Sequence, residues 1–80
     1  MTDARRLLAL NRDLVVWTVP DGDIAVGYQY GYVKDEPFLV GTFGTGDTFE
    51  AACSDYLSKI SGKTLVFDPP RGTREEIKVL

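Results

Sequence analysis

Histidine is absent from this chain, cysteine occurs once, and no apolar run approaches the length of a membrane span. Each absence excludes something. Without histidine, the usual general base for a cysteine or serine nucleophile is missing. The commonest imidazole ligand for a metal is missing with it. A single cysteine, Cys53, allows no internal disulfide. Small secreted domains usually need such staples, so a reducing, cytoplasmic compartment is expected. A bilayer span takes about 20 apolar residues. The stretch behind Arg5 and Arg6 covers only residues 7–10, too short also for a signal peptide. Positive charge is not in excess either. Nine Lys and Arg face twelve Asp and Glu, for a net charge of −3, which argues against gripping bare nucleic acid.

What is present is an ordinary globular balance, 44% hydrophobic and 26% charged, which excludes disorder. The 80 residues are read as one domain, 1–80, around one modest core. A chain of this size buries only about 60–65% of its unfolded surface and leaves little structure for a deep catalytic cleft.

Along the chain, residues 3–12 read as a short helix that Asp3 caps and that docks Leu7, Leu8 or Leu10. Three strands are expected at 14–19, 24–33 and 38–43. Pro20-Asp21-Gly22-Asp23 forms the first turn and the charged segment 34–37 the second. Short turns favour sequential antiparallel pairing, a β-meander. Gly44-Thr45-Gly46 then breaks the strand, and the clearest element begins at residues 47–60. Asp47 is expected as N-cap with Glu50 three residues on. Phe49, Ala52, Cys53, Tyr56, Leu57 and Ile60 make one apolar stripe at helical spacing, with Gly62 as the stop. On the polar side, Asp55 and Lys59 are spaced for an i, i+4 ion pair. Residues 64–67 and 76–80 complete an expected order α-β-β-β-α-β-β. The fold class is α+β, an antiparallel sheet packed by one amphipathic helix.

Several motifs suggest chemistry and are set aside on their own residues. Gly41-Thr-Phe-Gly-Thr-Gly46-Asp47-Thr48 approaches the phosphate-cradling loop G-x-x-x-x-G-K-[ST]. Asp47 stands where lysine should meet the phosphates, so attraction becomes repulsion. A glycine turn before an acidic cap accounts for every residue. Cys53 lies on the apolar stripe and reads as a core thiol. Asp21, Asp23, Asp35 and Glu36 read as solvated turns, not a calcium site or an acid/base pair. No catalytic residue, metal site or cofactor site is expected.

The second expected strand is more informative. Tyr28, Tyr30 and Tyr32 share one face with Ile24 and Val26, more bulk than one helix covers. The row reads either as amphipathic edge packing or as a partner-binding surface, since tyrosine is favoured at interface anchors. The opposite face carries Ala25, Gly27, Gln29, Gly31 and Val33, small enough to admit the N-terminal helix or a second subunit, as in a homodimer.

At Gly46-Asp47-Thr48-Phe49-Glu50-Ala51 the sequence resembles the strand-to-helix junction of HicB-like antitoxins, which commonly read G-x-T-x-E-E-A after a β-meander. The resemblance covers residues 14–67 in element order and about six residues in motif. Residues 42–68 also resemble small uncharacterised phage and prophage proteins, which implies a mobile-element origin and a host-cell cytoplasmic location. Two functional expectations follow. One is a non-enzymatic protein-binding module that inhibits a host protein, as anti-CRISPR proteins do. The other is an antitoxin module that binds a small RNase toxin. Neither group supplies a catalytic residue to carry over.

Overall fold

The computed structural model describes residues 2–79. The fold is α+β, with every strand pair antiparallel and one long amphipathic helix packed against the strands. In chain order the elements are α1 (Asp3–Leu8), β1 (Leu14–Thr18), β2 (Ile24–Tyr28), β3 (Gly31–Asp35) and β4 (Phe38–Gly41). They continue with β5 (Gly44–Gly46), α2 (Phe49–Ile60), β6 (Thr64–Phe67) and β7 (Glu75–Lys78). They form not one meander but two sheets, in the orders β1-β2-β5 and β4-β3-β6-β7.

The split occurs within the segment expected as one long strand. The chain turns at Gln29-Tyr30, where Tyr30 takes a left-handed φ of 55°. Gly31 makes that turn possible, because a Cβ there would sit 2.8 Å from the Tyr28 Cβ and 3.3 Å from the Phe67 ring. β2 therefore stays with β1, pairing Val16 with Val26, while β3 crosses to the other sheet and pairs Val33 with Val40 and Leu65. The expected third strand splits likewise. Phe38–Gly41 pairs with β3, whereas Gly44–Gly46, expected as a break, forms β5 along β2.

The helix phase agrees with the apolar stripe, since Ala52, Cys53, Tyr56, Leu57 and Ile60 are all buried. Its start lies one residue later than expected. Thr48, not Asp47, is the N-cap, and its hydroxyl oxygen accepts the Ala51 N–H at 3.1 Å. Asp47 is exposed. At the other end Gly62 adopts a φ of 75°, as a helix stop requires. α1 is shorter than expected, and Thr2 caps it in place of Asp3. Asp3 instead accepts a hydrogen bond from the Ser54 hydroxyl and so ties α1 to α2.

β6 matches expectation, and β7 returns along it with Ile77 opposite Leu65. Leu80, the last residue of that expected strand, lies outside the described residues. One core cluster joins Leu7 of α1, Val26 and Tyr28 of β2, Val33 of β3, the α2 stripe, and Leu65 and Phe67 of β6. No helix among the described residues is long and apolar enough to cross a membrane.

Candidate interaction surface

The expected tyrosine row is not formed, because its three members lie in three environments. Tyr28 is 6% exposed. Its ring packs edge-on to Phe67 at 5.5 Å and tilted against Tyr56 at 5.6 Å. Its hydroxyl donates to the Leu7 carbonyl, and its backbone N–H donates to the Tyr56 hydroxyl oxygen at 3.2 Å. Burial pushes the Tyr28 phenol well above its ordinary value, and the nearby Tyr56 and Cys53 add to the shift. Tyr28 is thus a core bracket between α1, α2 and β6, not a surface contact. Tyr32 is half-buried on β3. It lies on the face opposite Val33, because it pairs with Val66 while Val33 pairs with Leu65. Tyr30 alone is well exposed, at 41%. It borders a cleft of about 330 Å³ beside Arg12, Gln29, Phe67 and Pro69.

Cys53 and the glycine loop, the chain's nearest approaches to chemistry, are placed for packing. Cys53 is fully buried, and burial raises its thiol pKa, with the charges of Glu50 and Asp3 adding to the rise. A nucleophilic thiol needs the opposite shift. Among the described residues no three His, Cys, Asp or Glu side chains gather as a metal set would. The glycine loop is explained by helix packing. A Cβ on Gly46 would lie 2.6 Å from the Ala51 Cβ and 2.7 Å from the Ala52 nitrogen. These glycines let α2 lie directly on β5. Asp55 anchors the same junction. Its carboxylate accepts the Thr45 N–H at 2.9 Å and pairs with Lys59 at 2.9 Å, so its pKa is lowered, first by Thr45 and then by Lys59.

The exposed apolar side chains form the surface of interest. On the three-stranded sheet, register places Val15 opposite Gly27 and Trp17 opposite Ala25. Cross-strand partners share a face, so these four lie on the side turned away from Val26 and the core. The small-residue face foreseen in the sequence is thus real at Ala25 and Gly27, and side chains of the same chain cover it. A Cβ on Gly27 would be 3.6 Å from both the Trp17 ring and the Phe43 Cβ. The two aromatic rings meet at 5.7 Å, tilted by 53°. The Lys59 ammonium donates to the Phe43 carbonyl at 3.1 Å and stands 5.9 Å from the ring centre. Trp17 remains 40% exposed and Phe43 46%.

Val16, on the other face of β1 and paired with the buried Val26, also stays open, at 51%. The sequence signal for this site was the uncharged run Leu14-Val-Val-Trp-Thr18, which reads equally well as an interior strand. No family model, curated protein or solved structure matches this chain.

Proposed function

We propose that this chain is a non-enzymatic protein-binding module of a phage or other mobile element, one that acts by occupying a host protein as anti-CRISPR inhibitors do. The observation that carries this reading is the Trp17–Phe43 pair, which lies with Val15 on the outer face of the three-stranded sheet. Exposed aromatic anchors on a rigid sheet are what protein interfaces use. The mobile-element origin rests on the sequence resemblance of residues 42–68. A second reading, a HicB-like antitoxin bound to a small RNase toxin, draws on the strand-to-helix junction. There β5 runs into a Thr48-capped helix at the residues that carry that resemblance.

The test is capture of the host partner with tagged protein, followed by calorimetry on the purified pair. Trp17→Ala and Phe43→Ala should each weaken binding by about 1–3 kcal/mol. Melting temperature, read in parallel, separates contact from folding. Tyr30→Ala probes the remaining exposed tyrosine of the expected row. Undiminished binding by a folded Trp17→Ala, Phe43→Ala double variant would remove the surface from consideration. Catalytic turnover of the captured partner would remove the occupancy reading.

A further inference from the structure

The two sheets have four edges, formed by β1, β5, β4 and β7. Unpaired edges invite pairing with another chain, and proteins guard them with charge, proline, brevity or cover. β7 carries Glu75, Glu76 and Lys78. β5 is three residues long and lies under α2. β4 is four residues long and follows Asp35, Glu36 and Pro37. β1 is the longest of the four and, like β4, carries no charge or proline within the strand itself; Arg12 and Asp13 precede it. It spans five residues without a charge, a proline or a glycine.

The hydrogen-bond parity of β1 is fixed by its neighbours. The Asp13 carbonyl accepts the Gln29 N–H at 2.9 Å, and the Val19 N–H donates to the Asp23 carbonyl at 2.9 Å. Backbone groups of odd-numbered residues therefore point into the hairpin. By antiparallel alternation those of Leu14, Val16 and Thr18 point outward, where no strand of the described residues lies.

We infer that β1 pairs antiparallel with β1 of a second copy of this chain, with Val16 on the two-fold axis. The inference rests on the protein-binding reading of this surface and names the occupant of its edge. Val16 centring is the register that suits both symmetry and parity. It sets Val16 against Val16 and Leu14 against Thr18, each an outward-bonding residue, and closes the edge. Val15 of one copy then lies opposite Trp17 of the other, on the outer face. No like charges meet along the strand, because it has none. At each end the register runs Arg12, which pairs with Glu75 of its own chain, beside the Pro20–Asp23 turn of the other copy. The pairing also covers Val16, which is 51% exposed in the single chain. The result is a six-stranded sheet with one continuous outer face, in which the two Trp17–Phe43 pairs flank the axis and form a single platform.

The test is the solution mass of the whole chain by light scattering and sedimentation over a wide concentration range. The expected result is a reversible rise from the 8.9 kDa chain toward twice that mass. Val16→Lys sets two ammonium groups across the axis and should hold the protein at the single-chain mass with an unchanged melting temperature. Val40→Lys, on the other uncharged edge, should leave the dimer intact.

A position-specific readout uses single cysteines in a Cys53→Ser background. Val16→Cys should cross-link to its own copy on mild oxidation, since paired Cα atoms lie about 5.5 Å apart. Thr18→Cys should not, because the two Thr18 positions fall four residues apart along the strands, about 14 Å. A chain that stays single throughout, a dimer abolished by Val40→Lys instead, or equal cross-linking at both positions would each overturn the inference. Host-partner binding by a single-chain protein would refute the dimer and leave the binding reading standing. A dimer that binds no host protein would do the reverse.

Discussion

Replacing Gly44 by alanine tests the central packing contact of the fold. A Cβ at Gly44 would lie 2.5 Å from the Tyr56 Cβ, and closer still to the Ala52 carbonyl oxygen and the Tyr56 backbone nitrogen. Carbon contacts settle at about 3.5–4.0 Å, so α2 must retreat from β5 by about 1 Å at this point. Two of the three obstructing atoms are helix backbone, and no rotamer change relieves them. The retreat would also pull the Tyr56 hydroxyl from the Tyr28 N–H and loosen the Thr45–Asp55 hydrogen bond. Overpacking of this kind costs about 1–3 kcal/mol, and more where backbone must move. A domain of this length has a total stability of about 4–12 kcal/mol. At about 4–8 °C per kcal/mol, the melting temperature should fall by about 4–24 °C. The control is Gly41→Ala, three residues upstream in the same glycine-rich segment, where an added Cβ meets nothing within 4 Å. Urea denaturation followed by tryptophan fluorescence compares the two. If Gly44→Ala and Gly41→Ala match the parent within about 0.5 kcal/mol, a range ordinary for surface changes, the close approach of α2 to β5 is wrong.

Two further outcomes follow from the same junction. Thr48→Ala removes the helix cap and should cost about 1 kcal/mol, while Asp47→Ala should leave stability within about 0.5 kcal/mol of the parent. Denaturation midpoints that reverse this order would restore Asp47 as the cap. Asp55, whose pKa is lowered in the fold from an ordinary 3.8, contributes stability that is present above that value. The contribution is lost as pH falls through the lower, folded pKa. Melting temperatures of the parent and Asp55→Asn should therefore differ most near neutrality and converge below about pH 4. A difference that stays constant from neutral pH to strong acid would mean that the Asp55 charge contributes nothing.

Local signals made parts of this fold legible in the sequence. The α2 stripe, the Pro20–Asp23 turn and the β6–β7 return all rest on neighbours within a few residues, and the structure has them nearly where the pattern placed them. The failures share a cause. Residues 24–33 alternate as a single strand does, and nothing in that alternation reveals a left-handed Tyr30. Gly31 was the available signal, as the residue that lets the chain fold back against Tyr28. In the sequence Gly44 and Gly46 suggest a break, because glycine is poor in strands. Their strand character comes from α2 lying on them, a tertiary contact that outweighs propensity. Asp47 and Thr48 are both good caps, and the backbone leaving β5 decides between them.

The candidate surface was hidden for a different reason. A run such as Leu14-Val-Val-Trp-Thr18 satisfies the chemistry of a buried central strand, with β-branched and aromatic residues, no charge and no breaker. An edge strand that pairs with another chain has the same composition, because the free edge becomes an interior strand once the partner arrives. Only topology separates the two cases, and topology here follows from the Tyr30 turn. Had β2 continued into β3, Val33, Tyr32 and Val40 would have extended the same sheet as β1, and the aromatic bulk would have been shared along it. The turn instead sends β3 to the second sheet and leaves β1 with one neighbour. Trp17 and Phe43 then lie over Ala25 and Gly27 and stay 40% and 46% exposed. The tyrosine row and the tryptophan surface are therefore alternatives set by one backbone conformation. The left-handed turn at Tyr30 buries Tyr28 at the centre of the core and leaves β1 as an edge strand.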